Sequence, residues 1–286
     1  MRVTDLPALP IRPDDGHKGT FGRAMLIGGS VGMSGSIALS GMAALRSGAG
    51  LVYLAVPQPI LPIVAGFDPS YLTVSLHADD RGQISEESLH VIEGKLLGMD
   101  VCAVGPGLGT SYELDQIVGQ LYRNQHLPVV LDADALNCLA NMRDVLPDHS
   151  GPRILTPHPG EFARLIDVEI KQVQQNREEL SVEFAMKNQL VLVLKGPETI
   201  VTDGDQVYVN TTGNSGMGTG GTGDVLTGII VALVGQGMSL FEAAQLGVYV
   251  HGLSGDLCAQ ELTKFGLIAS DMLRFLPRAW RRIEER

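Results

Sequence analysis

Short runs that are apolar and β-branched on successive positions recur along the chain at 24–27, 51–56, 101–104, 129–131, 154–155, 190–194, 199–202 and 207–209. Apolar residues on both alternating positions predict strands covered on both faces, not strands with one wet side. Between these runs, helical patterns occupy about 35–47, 111–125, 160–167, 171–188, 224–235 and 239–262. Strands alternating with helices predict a largely parallel sheet with helices on both faces. Asp203-Gly204 is a turn signal between the last two strand-like runs, so a β-hairpin, and with it antiparallel pairing at one edge, is expected there. No linker, low-complexity tract or internal repeat interrupts the pattern, and residues 1–286 are expected to form a single domain. Residues 78–87 read as a polar surface loop and 278–286 as a charged helix end.

Hydrophobic residues make up 44% of the chain and charged residues 19%, which excludes a disordered protein. The formal charge of −11 excludes general affinity for nucleic acid or an anionic membrane. An anionic small ligand would need local help from amide nests, a lysine or a divalent cation. Cys102, Cys138 and Cys258 have no metal-ligand spacing and lie in apolar sequence, so buried thiols in a reducing compartment are expected and no disulfide is implied. The start of the chain lacks a basic stretch followed by an apolar run, and nowhere do about eighteen apolar residues follow one another. The expected location is cytoplasmic.

The densest chemistry lies in Gly213-Asn-Ser-Gly-Met-Gly-Thr-Gly-Gly-Thr-Gly-Asp224, which opens an apolar helix. Six glycines in the eleven residues 213–223 strip side chains from the loop, so backbone N–H groups can converge on an anion at the positive end of the helix. A carboxylate at Asp224 is the wrong sign for a phosphate contact and the right sign for a base; the alternative is a helix N-cap. Gly28-Gly29-Ser30 follows the first strand as either a tight turn or a site and matches neither a Walker nor a dinucleotide-binding fingerprint, and Gly105-Pro106-Gly107-Leu108-Gly109 forms a second rigid, amide-rich corner. Asp132 and Asp134 either orient magnesium-bound waters or serve as cap and turn for a helix beginning near Ala135. In Thr156-Pro157-His158-Pro159-Gly160-Glu161, two prolines frame His158 at a strand end, where it is either a substrate contact or proton carrier, or structural. Lys195-Gly196-Pro197-Glu198-Thr199 places a lysine at another strand end, either as a point charge for a nucleotide phosphate or as an ordinary solvated residue. His17 and His251 are left undecided.

Taken in order, His17-Lys18-Gly19-Thr20-Phe21-Gly22, Gly105–Gly109, Leu155–Glu161, Leu194-Lys195-Gly196 and Gly220–Gly228 closely resemble the ADP-dependent NAD(P)H-hydrate dehydratases of the ribokinase-like superfamily, across almost the whole chain. The Gly-x-Gly-Asp cradle alone identifies only the superfamily; the histidine motif and the His-Lys-Gly-Thr start narrow it. The resemblance implies a ribokinase-like α/β fold, ADP as phosphoryl donor and Mg2+ as cofactor. It also implies repair of the S-form hydrates NADHX and NADPHX, with AMP and phosphate released. It places Asp224 as base with Gly221 and Gly223 in the catalytic cradle. Ser36, Gly107, His158 and Asp224 would line the hydrate site, and Lys195, Gly196, Pro197, Glu198, Thr199 and Gly223 the nucleotide site. Many bacterial relatives carry a fused epimerase domain, for which this chain has no room, so a separate epimerase is expected; a homo-oligomer such as a tetramer is expected as well. Two rival readings stay open: an alcohol kinase of the hydroxyethylthiazole kinase type, and a non-catalytic nucleotide-binding protein.

Overall fold

The computed structural model describes residues 1–286. Ten strands form one sheet: β1 (Arg2–Val3), β2 (Arg23–Ile27), β3 (Leu51–Pro57), β4 (Leu72–Leu76), β5 (Val101–Val104), β6 (Val129–Leu131), β7 (Arg153–Leu155), β8 (Val191–Leu194), β9 (Ile200–Thr202) and β10 (Val207–Val209). Their order across the sheet is β1-β10-β9-β8-β7-β6-β5-β2-β3-β4, and only β9 runs against the others. The expected hairpin is present, its turn made by Gly204 at φ 98°. It lies one place in from the edge, because β1 adds outside it.

The central strands are covered on both faces, as their doubly apolar sequences require. One face carries a buried cluster of 42 residues, packed by the helices Ser34–Arg46, Thr222–Gly235, Leu240–Gly266 and Ala269–Glu284. The other carries 36, packed by helices that include Tyr112–Asn124, Pro159–Ile166 and Arg177–Asn188. All three cysteines are buried and free. No helix is long and apolar enough to cross a membrane.

Several expectations need correction. The strand β4 does not carry the doubly apolar signal, since at the sheet edge Val74 and Leu76 are buried while Leu72 is exposed. The pattern over 171–188 divides at Asn176, whose φ of −131° interrupts the helix between Ile170–Gln175 and Arg177–Asn188. The charged helix end is present as expected, but it closes a longer amphipathic helix, Ala269–Glu284, that the patterns above did not include. Residues 78–87 are more than a surface loop: Ala78 bridges Ile84, Ile84 is buried, and the Gly82 carbonyl accepts from Val31 N at 3.1 Å.

The sheet order reverses between β2 and β5, where the chain builds outward first on one side and then on the other. In open α/β sheets, ligands bind beyond the carboxyl ends of strands at this crevice. Here the two loops that leave it are fastened together. Gly29 N donates to the Pro106 carbonyl at 2.8 Å, and the Ser30 hydroxyl donates to the Gly107 carbonyl at 2.9 Å. Behind them the helices Ser34–Arg46 and Thr222–Gly235 cross in contact. A Cβ at Gly228 would fall on the Ser40 carbonyl oxygen and lie 2.7 Å from the Ala43 Cβ. This last glycine of the motif therefore serves helix packing and not phosphate. Gly228→Ala should cost about 1–3 kcal/mol, the usual scale of overpacking, because a backbone carbonyl is the obstacle; a lowered urea midpoint with unchanged slope checks it.

Candidate active site

The helix Thr222–Gly235 begins without a side-chain cap: Gly221, at φ 91°, occupies the capping position. Its first-turn amides thus face the glycine loop unpartnered by any side chain, as an anion site requires. A Cβ at Gly220 would meet nothing within 4 Å, so the approach is open. The loop is held from outside. Gly213 N and the Asn214 amide donate to the two carboxylate oxygens of Asp256, each at 2.9 Å. The Thr222 hydroxyl donates to the Met217 carbonyl at 2.9 Å.

Asp224 stands in the first turn and not at the cap, which removes the N-cap alternative. Its residue is 9% exposed, and its carboxyl pKa is pushed up to about 7. Burial is the main cause and the negative charge of Asp132 adds to it, while a Ser36 hydrogen bond and Lys195 pull the other way. A carboxyl group poised near neutrality suits a base that must take and release a proton. The Ser40 hydroxyl donates to the Asp224 backbone carbonyl at 2.8 Å and steadies this turn.

Ser36, Gly107 and Asp224 come together. Besides the Ser36–Asp224 interaction, a Cβ built on Gly107 would lie 3.0 Å from the Ser36 Cβ and 2.7 Å from the Met33 carbonyl oxygen. Only glycine fits there, and its φ of 62° agrees. Lys195 meets Gly223: its Nζ lies 3.4 Å from where a Gly223 Cβ would stand.

The Lys195 side chain is only 19% exposed. Its Nζ donates to Asp132 Oδ1 at 2.7 Å and lies 3.9 Å from Glu161 Oε2. Burial alone would lower its pKa; Asp132 and Glu161 outweigh burial and raise it, so the ammonium stays charged. Asp132, itself buried, receives a second hydrogen bond at 2.6 Å from the Thr227 hydroxyl. Burial opposes its ionised form, but Lys195 and Thr227 hold its pKa below the ordinary carboxylate range. Asp134 turns elsewhere, accepting from Gly109 N at 2.8 Å. Each carboxylate thus has partners within the fold, and no group of three His, Cys, Asp or Glu side chains is arranged to hold a metal ion. Between them Ala133 adopts φ 50°, a strained conformation for a residue with a Cβ.

His158 caps the helix Pro159–Ile166. Its Nδ1 accepts from Gly160 N and Glu161 N at 3.0 and 3.2 Å, and Glu161 completes a capping box through the His158 backbone N–H. This leaves the proton on Nε2, which lies 3.4 Å from Glu161 Oε1, with the ring half exposed. Burial together with the charges of Lys195 and Arg164 lowers its pKa, so it is a neutral donor near pH 7. Structural and binding roles are thus compatible in one side chain. The Glu161 pKa is raised, chiefly by burial.

Gly196, Pro197 and Glu198 are exposed on the loop after Lys195, and the Thr199 hydroxyl donates to the Gly196 carbonyl at 2.8 Å. Their closest tie is to Arg177, whose guanidinium donates to the Leu194 and Lys195 carbonyls. Of the five residues assigned to the nucleotide loop, only Lys195 is thereby joined to the glycine cradle. His17 lies before β2, at the amino end of the sheet and so opposite the cradle; its Nδ1 accepts from Gly19 N at 3.1 Å.

The family model described as NAD(P)H-hydrate dehydratase matches residues 24–278. The chain belongs to the NAD(P)H-hydrate dehydratase family. The bifunctional NAD(P)H-hydrate repair enzyme of Moorella thermoacetica is 44% identical over 278 residues, covering 97% of this chain and 52% of that protein. The chain thus spans about half the length of the bifunctional relatives it matches. The ADP-dependent (S)-NAD(P)H-hydrate dehydratase of Bacillus subtilis is 35% identical, with 96% and 95% of the two chains covered. The crystal structure of the ADP/ATP-dependent NAD(P)H-hydrate dehydratase from Bacillus subtilis, co-crystallised with ATP and Mg2+, is 33% identical with a TM-score of 0.83, covering 96% and 94% of the chains. A ribokinase-like superfamily protein of Enterococcus faecalis has a TM-score of 0.84 at 27% identity, over 96% and 92% of the chains. The fold is ribokinase-like.

Residue-by-residue reading of the sequence leaves His251 undecided and does not single out Thr227. Nothing marks Thr227 in advance, since it sits inside an apolar helix and matters only through Asp132. His251 Nε2 lies 2.8 Å from the Thr222 carbonyl, to which it donates. Burial drives its pKa down to about 4 against the opposing effect of this hydrogen bond, so the ring is neutral. Above pH 6.5, folded and unfolded states both carry it uncharged. As pH falls from about 6.5 towards 4, the unfolded chain gains a proton that the folded chain refuses, and stability drops by on the order of 3 kcal/mol. His251→Gln keeps a donor for Thr222 and should flatten this acid limb, as unfolding free energies at pH 7.5, 6 and 5 will register.

Proposed function

We propose that the protein dehydrates the S forms of NADHX and NADPHX to NADH and NADPH, using ADP as phosphoryl donor and releasing AMP and phosphate. The observation that carries the reading is a buried carboxyl, Asp224, with its pKa raised to about 7 at the uncapped amino end of a glycine-framed helix. Family membership supports the substrate, and the names of the Bacillus subtilis relatives support an adenine nucleotide as co-substrate.

In this reading Asp224 takes the proton from the ring hydroxyl as its oxygen attacks the terminal phosphorus of ADP. The bond to the bridging oxygen breaks and AMP departs with the electron pair. Amides of Gly221 to Gly223 hold the charge that develops on the transferring group, and Lys195 adds a fixed positive charge beside them. The new ester lies on a carbon bonded to the ring nitrogen, so the nitrogen lone pair expels phosphate. Loss of a proton from the neighbouring carbon to the departing phosphate then restores the double bond. No second acid–base pair is needed for that step; the protein positions the intermediate and keeps water away. Ser36, Gly107 and His158 would line the hydrate, and the 195–199 loop the adenosine. Side chains here do not form a cage for magnesium. A magnesium ion that arrives on the nucleotide would neutralise phosphate charge while keeping most of its waters. Only one epimer of the hydrate is consumed, so an epimerase acting on the same substrates would complete the repair.

Incubation with hydrated NADH and ADP should return nicotinamide absorbance, with reduced cofactor, AMP and inorganic phosphate in equal amounts. Phosphate without regained absorbance would reduce the activity to nucleotide hydrolysis. A stable phosphate ester from a thiazole alcohol, with the hydrate untouched, would make the protein a kinase. Because the base must be ionised, kcat/KM should rise with pH through about 7. Asp224→Asn should lower kcat by roughly 10²- to 10⁴-fold, the range for a positioned general base. ADP affinity should hold or tighten, since a negative charge leaves the phosphate site.

A further inference from the structure

Asp132 touches no reacting group in the chemistry just described, yet it is the most completely enclosed charge of the site, 1% exposed at the carboxyl end of β6. Both of its oxygens are engaged by different parts of the fold: Oδ1 receives the Lys195 ammonium at 2.7 Å, and Oδ2 receives the Thr227 hydroxyl at 2.6 Å. Lys195 leaves the end of β8, whereas Thr227 lies one turn beyond Asp224 on the helix that starts the cradle. The carboxylate therefore ties the lysine strand to the base-bearing helix across the crevice. A buried ion pair is weak ground for stability, since apolar residues of similar volume often serve as well, so its use is better sought in geometry. The lysine it holds ends 3.4 Å from the Cβ position of Gly223, at the unpartnered amino end of the helix. Without this tether, a lysine with four rotatable bonds would follow Glu161, 3.9 Å away on the other side.

We propose that Asp132 is a positioning residue for phosphoryl recognition: it fixes the Lys195 ammonium against Gly223, so that one preset cation and the helix amides meet the same nucleotide phosphate. The inference rests on the nucleotide-dependent reading above, and concerns the phosphate end of the site only. Asp132 itself touches no phosphate, because its charge would repel one. Its effect on ADP passes through Lys195, so the two residues must act as a unit towards that ligand.

The test is a double-mutant cycle read by calorimetric ADP binding, which decides the matter even if the wild-type protein turns over no hydrate. Asp132→Asn should weaken ADP by about 10- to 100-fold, the scale seen when the partner that orients a ligating group is lost. Lys195→Met should weaken it at least as much, and the double variant no more than Lys195→Met alone. Affinity for the hydrate without nucleotide should stay within twofold of wild type in all three. Thr227→Val, which keeps the ion pair and removes only the 2.6 Å hydrogen bond, should give a smaller loss of ADP affinity in the same direction. It carries the test if Asp132→Asn does not fold. The proposal is overturned if the losses of the two single variants multiply in the double variant, if hydrate and ADP affinity fall together, or if Thr227→Val, as the only folded variant, binds ADP as wild type does.

Discussion

Everything in the site is arranged around the free amino end of one buried helix, Thr222–Gly235. A helix start leaves backbone N–H groups without intrahelical partners, and a serine, threonine or aspartate normally supplies one. Here Gly221 stands in that place and supplies none. The open amides, together with the aligned peptide dipoles, make a fixed positive region that costs nothing to reorganise when charge appears on a ligand. The helix can be held in this state because its remaining length is sunk in the core: every residue from Val225 to Val234 is buried.

A second constraint follows from the first. Asp224 sits in the same turn, where the helix field would favour its ionised form, yet its pKa is raised. Burial and Asp132 therefore outweigh the field. The balance matters: a carboxyl held far below neutrality would be a poor base, and one held far above would be protonated in the cell. The Asp132–Lys195 pair sets part of that balance from both sides, since Asp132 raises the Asp224 pKa and Lys195 lowers it.

The remaining parts deliver backbone to this point. Gly105 stands at φ 129°, and a Cβ there would fall on the Asp132 carbonyl oxygen, so the β5 and β6 loops approach as closely as backbones can. Gly107 does the same beneath Ser36. Farther out, the loop near Gly82 reaches the same rim, with the Gln83 side chain filling the space beside Gly109. The site is thus largely a convergence of main chain, with few side chains.

The sequence by itself determined the strand and helix alternation of the central sheet, the hairpin turn and the glycine cradle. Each of these is written in local spacing: doubly apolar runs, a turn pair, and clustered glycines before a helix. The motif residues also disclosed the family. What local spacing does not carry was decided only by tertiary structure. β4 is an edge strand with a mixed pattern, and its pairing to β3 is a long-range fact. Asp132 and Asp134 look alike in sequence, but one is clamped by a lysine 63 residues away while the other accepts from a glycine amide. Thr227 gains meaning only from Asp132, 95 positions distant. His158 and Lys195 could each be read two ways because a side chain's partners are set by which strand ends the fold brings together. The helix cap was settled likewise, since whether Asp224 or Gly221 begins the helix depends on a φ angle that composition permits but does not choose.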